Sequence, residues 1–164
     1  MAVLPQKVSN KKIAWSIAVG LLFSTVGLSG ISRSIAPDVL ALVIFYWALI
    51  GGDVRPKMSI VFLLGLIVDF AVGGAIGIHS LKYVLLLAVA VRLGNRFQMS
   101  IRLKKIAFIV LTFVVLEVIL RGVVLMFVKT PMDIKSVFAA AMWGLTWPIV
   151  EAVLAKNYSR IGFK

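Results

Sequence analysis

Six apolar runs separated by short polar segments constrain this chain more than any other feature. They are Ile13–Leu28, Val39–Gly52, Met58–Val72, Ile78–Leu93, Ile106–Val128 and Ile134–Ala155. Across 164 residues, 62% are hydrophobic and mean hydropathy is +1.08. A soluble fold of this length has too little interior to hide that much apolar surface. The surplus needs a second apolar phase, and a lipid bilayer supplies one. A spanning helix takes about 20 apolar residues. The spacing therefore predicts a single-domain, all-α polytopic membrane protein with six transmembrane helices. The expected spans are 13–29, 36–52, 58–72, 77–93, 106–128 and 134–155. Lysines ahead of the first run also suit a signal peptide, with Ser29-Gly30-Ile31 as a conceivable cleavage zone. Because spans continue along the whole chain, a retained first helix is the expectation. Pro37 fits a first helical turn, so the second span is expected to begin near Ile35.

The distribution of charge orients these spans. The chain carries a net charge of +12, and in a soluble protein this would suggest nucleic acid. Here the bases lie between apolar runs, as in cytoplasmic loops facing anionic lipid, so no nucleic-acid partner is expected. With the N-terminus inside, thirteen of the 18 Lys and Arg residues fall inside, most densely from Arg92 to Lys105. Outside lie Arg33, Lys129 and Lys135, while Lys82 and Arg121 fall within spans. The bias satisfies the positive-inside rule and places both termini in the cytoplasm. A re-entrant hairpin of the short third and fourth runs is the alternative.

Charges within spans must be paired or face protein, since each costs about 2.5 to 3.5 kcal/mol at the bilayer centre on insertion scales. Glu117 and Arg121 stand four apart on one helix face, the spacing of an internal ion pair; a polar face for a partner helix or ligand, or a proton relay, are the alternatives. Asp69 and Lys82 flank the same outer turn at similar depth, which predicts an Asp69–Lys82 pair. Glu151 lies near the inner boundary, within reach of the basic tail. Tyr46 and Trp47 near the inner end of the second span read as an interfacial aromatic belt. Trp143 and Trp147 read as helix packing, with a kink at Pro148. Gly73-x-x-x-Gly77 reads as a tight turn and Gly65 as a point of close helix approach.

No constellation for catalysis emerges. There is no cysteine and one histidine, His79. That leaves no metal site, no nucleophile–histidine arrangement and no phosphate-binding loop. No cofactor is expected, and the chain does not read as an enzyme.

The stretch from Ile35 to Phe97 resembles the rod shape-determining MreD family. Pro37-Asp38-Val39-Leu40 and Tyr46-Trp47 match its second span. Gly65-Leu66-Ile67-Val68-Asp69, Gly73 and Ile76-Gly77-Ile78-His79-Ser80-Leu81 match its glycine–aspartate core, and Trp147-Pro148 precedes a basic tail as in the family. Lys82 departs from the small or apolar residue expected there. The resemblance implies a multi-pass component of the bacterial inner membrane and of the cell-elongation machinery. Its implied partners are MreC, the SEDS glycosyltransferase with its class B penicillin-binding protein, and MreB filaments. The implied role is a non-catalytic scaffold for lateral peptidoglycan synthesis. The implied fold is similar to the substrate-binding subunits of energy-coupling-factor transporters. That similarity supplies the second reading, a vitamin-type transporter subunit with a polar pocket near Asp69, His79 and Lys82. On the scaffold reading, partner contact is expected on the second and third spans around Gly65.

Overall fold

A computed structural model describes residues 10–26, 38–50, 55–73, 76–98, 102–128 and 134–159. All elements among them are helical: α1 (Asn10–Val26), α2 (Val39–Ile50), α3 (Met58–Val72), α4 (Ile78–Gln98), α5 (Arg102–Val128), α6 (Ile134–Leu145) and α7 (Trp147–Ser159). Pro37 and the start near Ile35 lie outside the described residues.

The helix α2 is the axis of the bundle. Every residue from Leu40 to Leu49 is buried, so neighbours surround its whole circumference. Its neighbours include α1, α4 and α7, while α3 packs on α4 and α5 on α6. This corrects the reading of Tyr46 and Trp47 as an interfacial belt. Trp47 is 4% exposed, and its indole Nε1 donates to Ser16 Oγ of α1 at 2.9 Å. Tyr46 stacks edge-on against Trp47, with ring centroids 5.2 Å apart. Phe45 meets Phe113 of α5 and Trp147 of α7 at 5.8 and 5.9 Å. Edge-to-face contacts of this kind add to what burial alone contributes. They bring three helices onto one aromatic centre.

The turn between α3 and α4 needs glycine. Gly73 caps α3 at φ 68° and donates its N–H to Asp69 O, and Gly77 sits at φ 100°. Both are left-handed conformations that side chains disfavour. Beyond the turn, Gly65 lets α3 press on α4: a Cβ there would lie 2.3 Å from Ser80 Cα and 2.5 Å from Ser80 N.

The last apolar run is a broken helix, with α6 and α7 bent by 42°. Pro148 has no N–H to continue the ladder. The backbone instead turns at Thr146, which accepts from Ile149 N and Val150 N, while its own N–H donates to Trp143 O.

Outside this core the surface is apolar. Phe70, Met126, Phe138 and Ile149 are each more than half exposed. Among the described residues, Leu103–Met126 is long and apolar enough to cross a membrane by itself, and the bent α6–α7 pair qualifies together. The apolar helices α2 and α3 are shorter, at 12 and 15 residues.

Candidate functional site: a buried polar spine

Two polar clusters meet on α4. The first forms around Asp69, which α3 carries one turn beyond Gly65. Asp69 is 1% exposed. Its Oδ2 accepts from Gly77 N at 2.8 Å and lies 3.4 Å from Ser80 Oγ. Its Oδ1 accepts from His79 N at 3.0 Å and lies 2.7 Å from His79 Nδ1. One carboxylate thus gathers the donors at the start of α4, where a helix N-terminus leaves N–H groups without intrahelical partners. The Gly65 contact puts the two backbones close enough for this, and the glycine turn aims the donors. Motif, turn and close approach are therefore one device.

The second cluster joins α2, α4 and α5. Asp38 caps α2, accepting the Ala41 N–H on Oδ1 at 3.1 Å. The same oxygen accepts from Tyr83 OH at 2.9 Å. Asp38 Oδ2 pairs with Lys82 Nζ at 2.9 Å, and Lys82 Nζ also stands 3.6 Å from Glu117 Oε2. Glu117 Oε1 accepts from Arg121 Nε at 3.2 Å. Lys82 and Glu117 side chains are each 13% exposed. Two carboxylates and two cations alternate along Asp38–Lys82–Glu117–Arg121, so the cluster is formally neutral. A ring contact between His79 and Tyr83, 6.1 Å between centroids, connects the clusters.

The expected Asp69–Lys82 pair is therefore corrected. Both residues flank the outer turn as read, but the donors of the turn itself occupy the Asp69 oxygens, and Lys82 on α4 points across to α2 and α5. For Asp38 the sequence offers a place in the family motif and no ionic role. Its partners are 44 and 45 positions away, a separation that no local spacing rule reaches. Of the partner face expected on the second and third spans around Gly65, the outward residues of α3 such as Leu63 and Phe70 are exposed, whereas Gly65 and α2 are not open to a partner. The Gly65 surface is filled by α4 of the same chain, and α2 has no free face.

What this arrangement can do chemically is hold helices together. Among the described residues no group of three or more His, Cys, Asp and Glu side chains is placed to hold a metal ion. A cleft of about 400 Å³ between α3 and α4 is lined by Met58, Ser59, Phe62, Gly77, Leu81 and Val84. Asp69, His79 and Lys82 do not line it, so it is not the polar pocket anticipated for a small-molecule carrier.

Apolar helix surfaces outside, with carboxylates and cations consumed by one another inside, define a structural, membrane-associated helical protein. The family model of the rod shape-determining protein MreD matches residues 9–156. The chain belongs to that family, and its role lies in rod shape determination. No curated protein and no solved structure matches it.

Proposed function

We propose that this protein crosses the bacterial inner membrane six times, with both termini in the cytoplasm, as a non-catalytic scaffold of the cell-elongation machinery. It binds MreC and works with the SEDS glycosyltransferase and its class B penicillin-binding partner to support lateral peptidoglycan synthesis. MreB filaments act on the cytoplasmic side. A fold similar to the substrate-binding subunits of energy-coupling-factor transporters is part of this proposal.

The observation that carries it is the burial of Asp69, Lys82 and Glu117 between α2, α3, α4 and α5 beneath an apolar outer surface. These mid-helix charges meet partners inside the bundle, while large apolar side chains such as Phe70, Met126 and Phe138 face out. A soluble core helix would do the reverse, whereas lipid or other membrane helices satisfy such a surface. The basic residues concentrated at the inner ends agree with this placement. In the six-span arrangement, the bent α6–α7 pair is one span, and the shorter α2 lies inside the bundle where no lipid reaches it.

Crosslinking in native membranes, mild-detergent purification of this chain and mass spectrometry test the reading. MreC and the wall-synthesis enzymes are the expected company. A transporter ATPase with its transmembrane partner would overturn it.

A further inference from the structure

Several apolar faces of the bundle are exposed, but the face of α5 has a polar edge. Leu111, Val115, Val118, Gly122 and Met126 fall on one stripe, at i, i+4, i+7, i+11 and i+15. Leu111 and Met126 are 62% and 82% exposed. A Cβ built at Gly122 meets nothing within 4 Å, so the middle of the stripe is a shallow open notch. Arg121 borders the notch, with its side chain 34% exposed. Its Nε donates to Glu117. A guanidinium has five N–H donors, and among the described residues its terminal Nη groups meet no acceptor.

Depth decides what can satisfy those donors. The helix α5 has 27 residues, about 40 Å at the α-helical rise. Glu117 lies about 16 Å from the Val128 end, which is half of a hydrocarbon core of about 30 Å. Helical side chains lean toward the N-terminus, and the bond to Glu117 directs the Arg121 guanidinium the same way, toward mid-membrane. A lipid phosphate at the outer surface is out of reach. A side-chain oxygen on a neighbouring transmembrane helix is within reach, and Gly122 lets such a helix come close.

We propose that the stripe on α5 centred on Gly122 docks a transmembrane helix of another protein, which presents a carboxylate, amide or hydroxyl oxygen to Arg121. This inference rests on the membrane-scaffold reading and assigns its contact surface. The incoming helix covers the apolar stripe, and its acceptor extends the chain of charges from Asp38 to Arg121 by one member.

The test places a photo-crosslinking amino acid at Val118 or Met126 in the full chain in native membranes. Leu63 on α3 and Phe138 on α6 serve as comparison faces. The expected result is an adduct from α5 to a transmembrane segment of a different protein, with an Asp, Glu, Asn, Gln, Ser or Thr at matching depth. Arg121→Leu, Gly122→Leu and an apolar replacement of that acceptor should each lower the yield at least tenfold. Arg121→Leu also frees Glu117 and can loosen the bundle. Gly122→Leu enters open space, and its melting curve should match the parent, so its effect reports docking alone. Adducts with lipid only, adducts with a second copy of this chain, or yields unchanged by Gly122→Leu would each overturn the proposal. Capture of a partner from α3 or α6 but not from α5 would overturn the surface and leave the scaffold standing. The absence of protein adducts from every face would remove both.

Discussion

Gly65→Ala should be among the most damaging single-methyl additions in this protein. Its Cβ would fall 2.3 Å from Ser80 Cα, 2.5 Å from Ser80 N and 2.9 Å from the His79 carbonyl carbon. All three are backbone atoms of α4, so no side chain can swing aside. Restoring van der Waals contact requires α4 to retreat by roughly 1 Å. Asp69, one turn along α3, holds Gly77 N and His79 N at 2.8 and 3.0 Å. The same retreat carries both beyond hydrogen-bonding distance. Overpacking alone costs about 1–3 kcal/mol, and a lost hydrogen bond to a charged group about 1.5–3 kcal/mol. The terms share one interface and do not add fully, so a loss of about 3–5 kcal/mol is expected. The reference is Gly122→Ala, whose methyl meets nothing; it should be neutral or stabilise the helix by up to about 1 kcal/mol. Denaturing-detergent titration of both purified variants, followed by fluorescence of the buried Trp47 and Trp147, measures the difference. Equal stability of the two variants would refute the account of how α3 and α4 meet.

Three further substitutions test the polar spine and the aromatic centre. Lys82→Met leaves Asp38 and Glu117 facing each other without their shared cation, and should cost about 3–5 kcal/mol in the same titration. Adding Asp38→Asn to Lys82→Met should recover part of this loss, because one uncompensated charge is removed. Asp69→Asn sets an amide N–H₂ against N–H donors and should cost about 2–4 kcal/mol. His79→Ala should cost less, since the Gly77 and residue-79 backbone bonds survive. Trp47→Phe and Ser16→Ala each remove one hydrogen bond and should lose about 1 kcal/mol. Their double variant should lose little more than one of them, as a double-mutant cycle would show.

The legibility of the sequence followed the range of each interaction. The Glu117–Arg121 contact spans four residues of one helix, and a local rule anticipates it. The Gly73–Gly77 turn and the break before Pro148 also read directly, because positive φ and a missing N–H are properties of single residues. The Asp38–Lys82–Glu117 chain did not read, because it depends on which helices become neighbours. Lys82 had two carboxylates within plausible depth besides Asp69, and hydropathy does not rank them. Tyr46 and Trp47 failed for a different reason. An amphipathic ring suits a membrane interface and a buried hydrogen bond equally well, and only the position of α2 at the centre decides between them. Gly144 is a close-approach glycine of the same kind as Gly65. Its Cβ would lie 2.9 Å from Val110 Cα, which makes it the α6 counterpart of Gly65, and Ala140 four residues before it supplies the small-residue spacing that marks such a contact in the sequence.

The proposed six-span bundle has both termini inside and holds Asp69, Lys82 and Glu117 within the membrane. The natural chain has no cysteine, so single cysteines can be placed freely and probed with a membrane-impermeant maleimide on right-side-out membranes. Ser32→Cys, Ala75→Cys and Thr130→Cys should label at once. Ser9→Cys, Val54→Cys, Ser100→Cys and Ile161→Cys should label only after the membrane is opened. Protection of Ala75→Cys from the outside reagent, with Val54→Cys and Ser100→Cys still inside, would make α3 and α4 a re-entrant hairpin, and immediate labelling of Ser100→Cys would mean that α4 does not cross; either result would contradict the account.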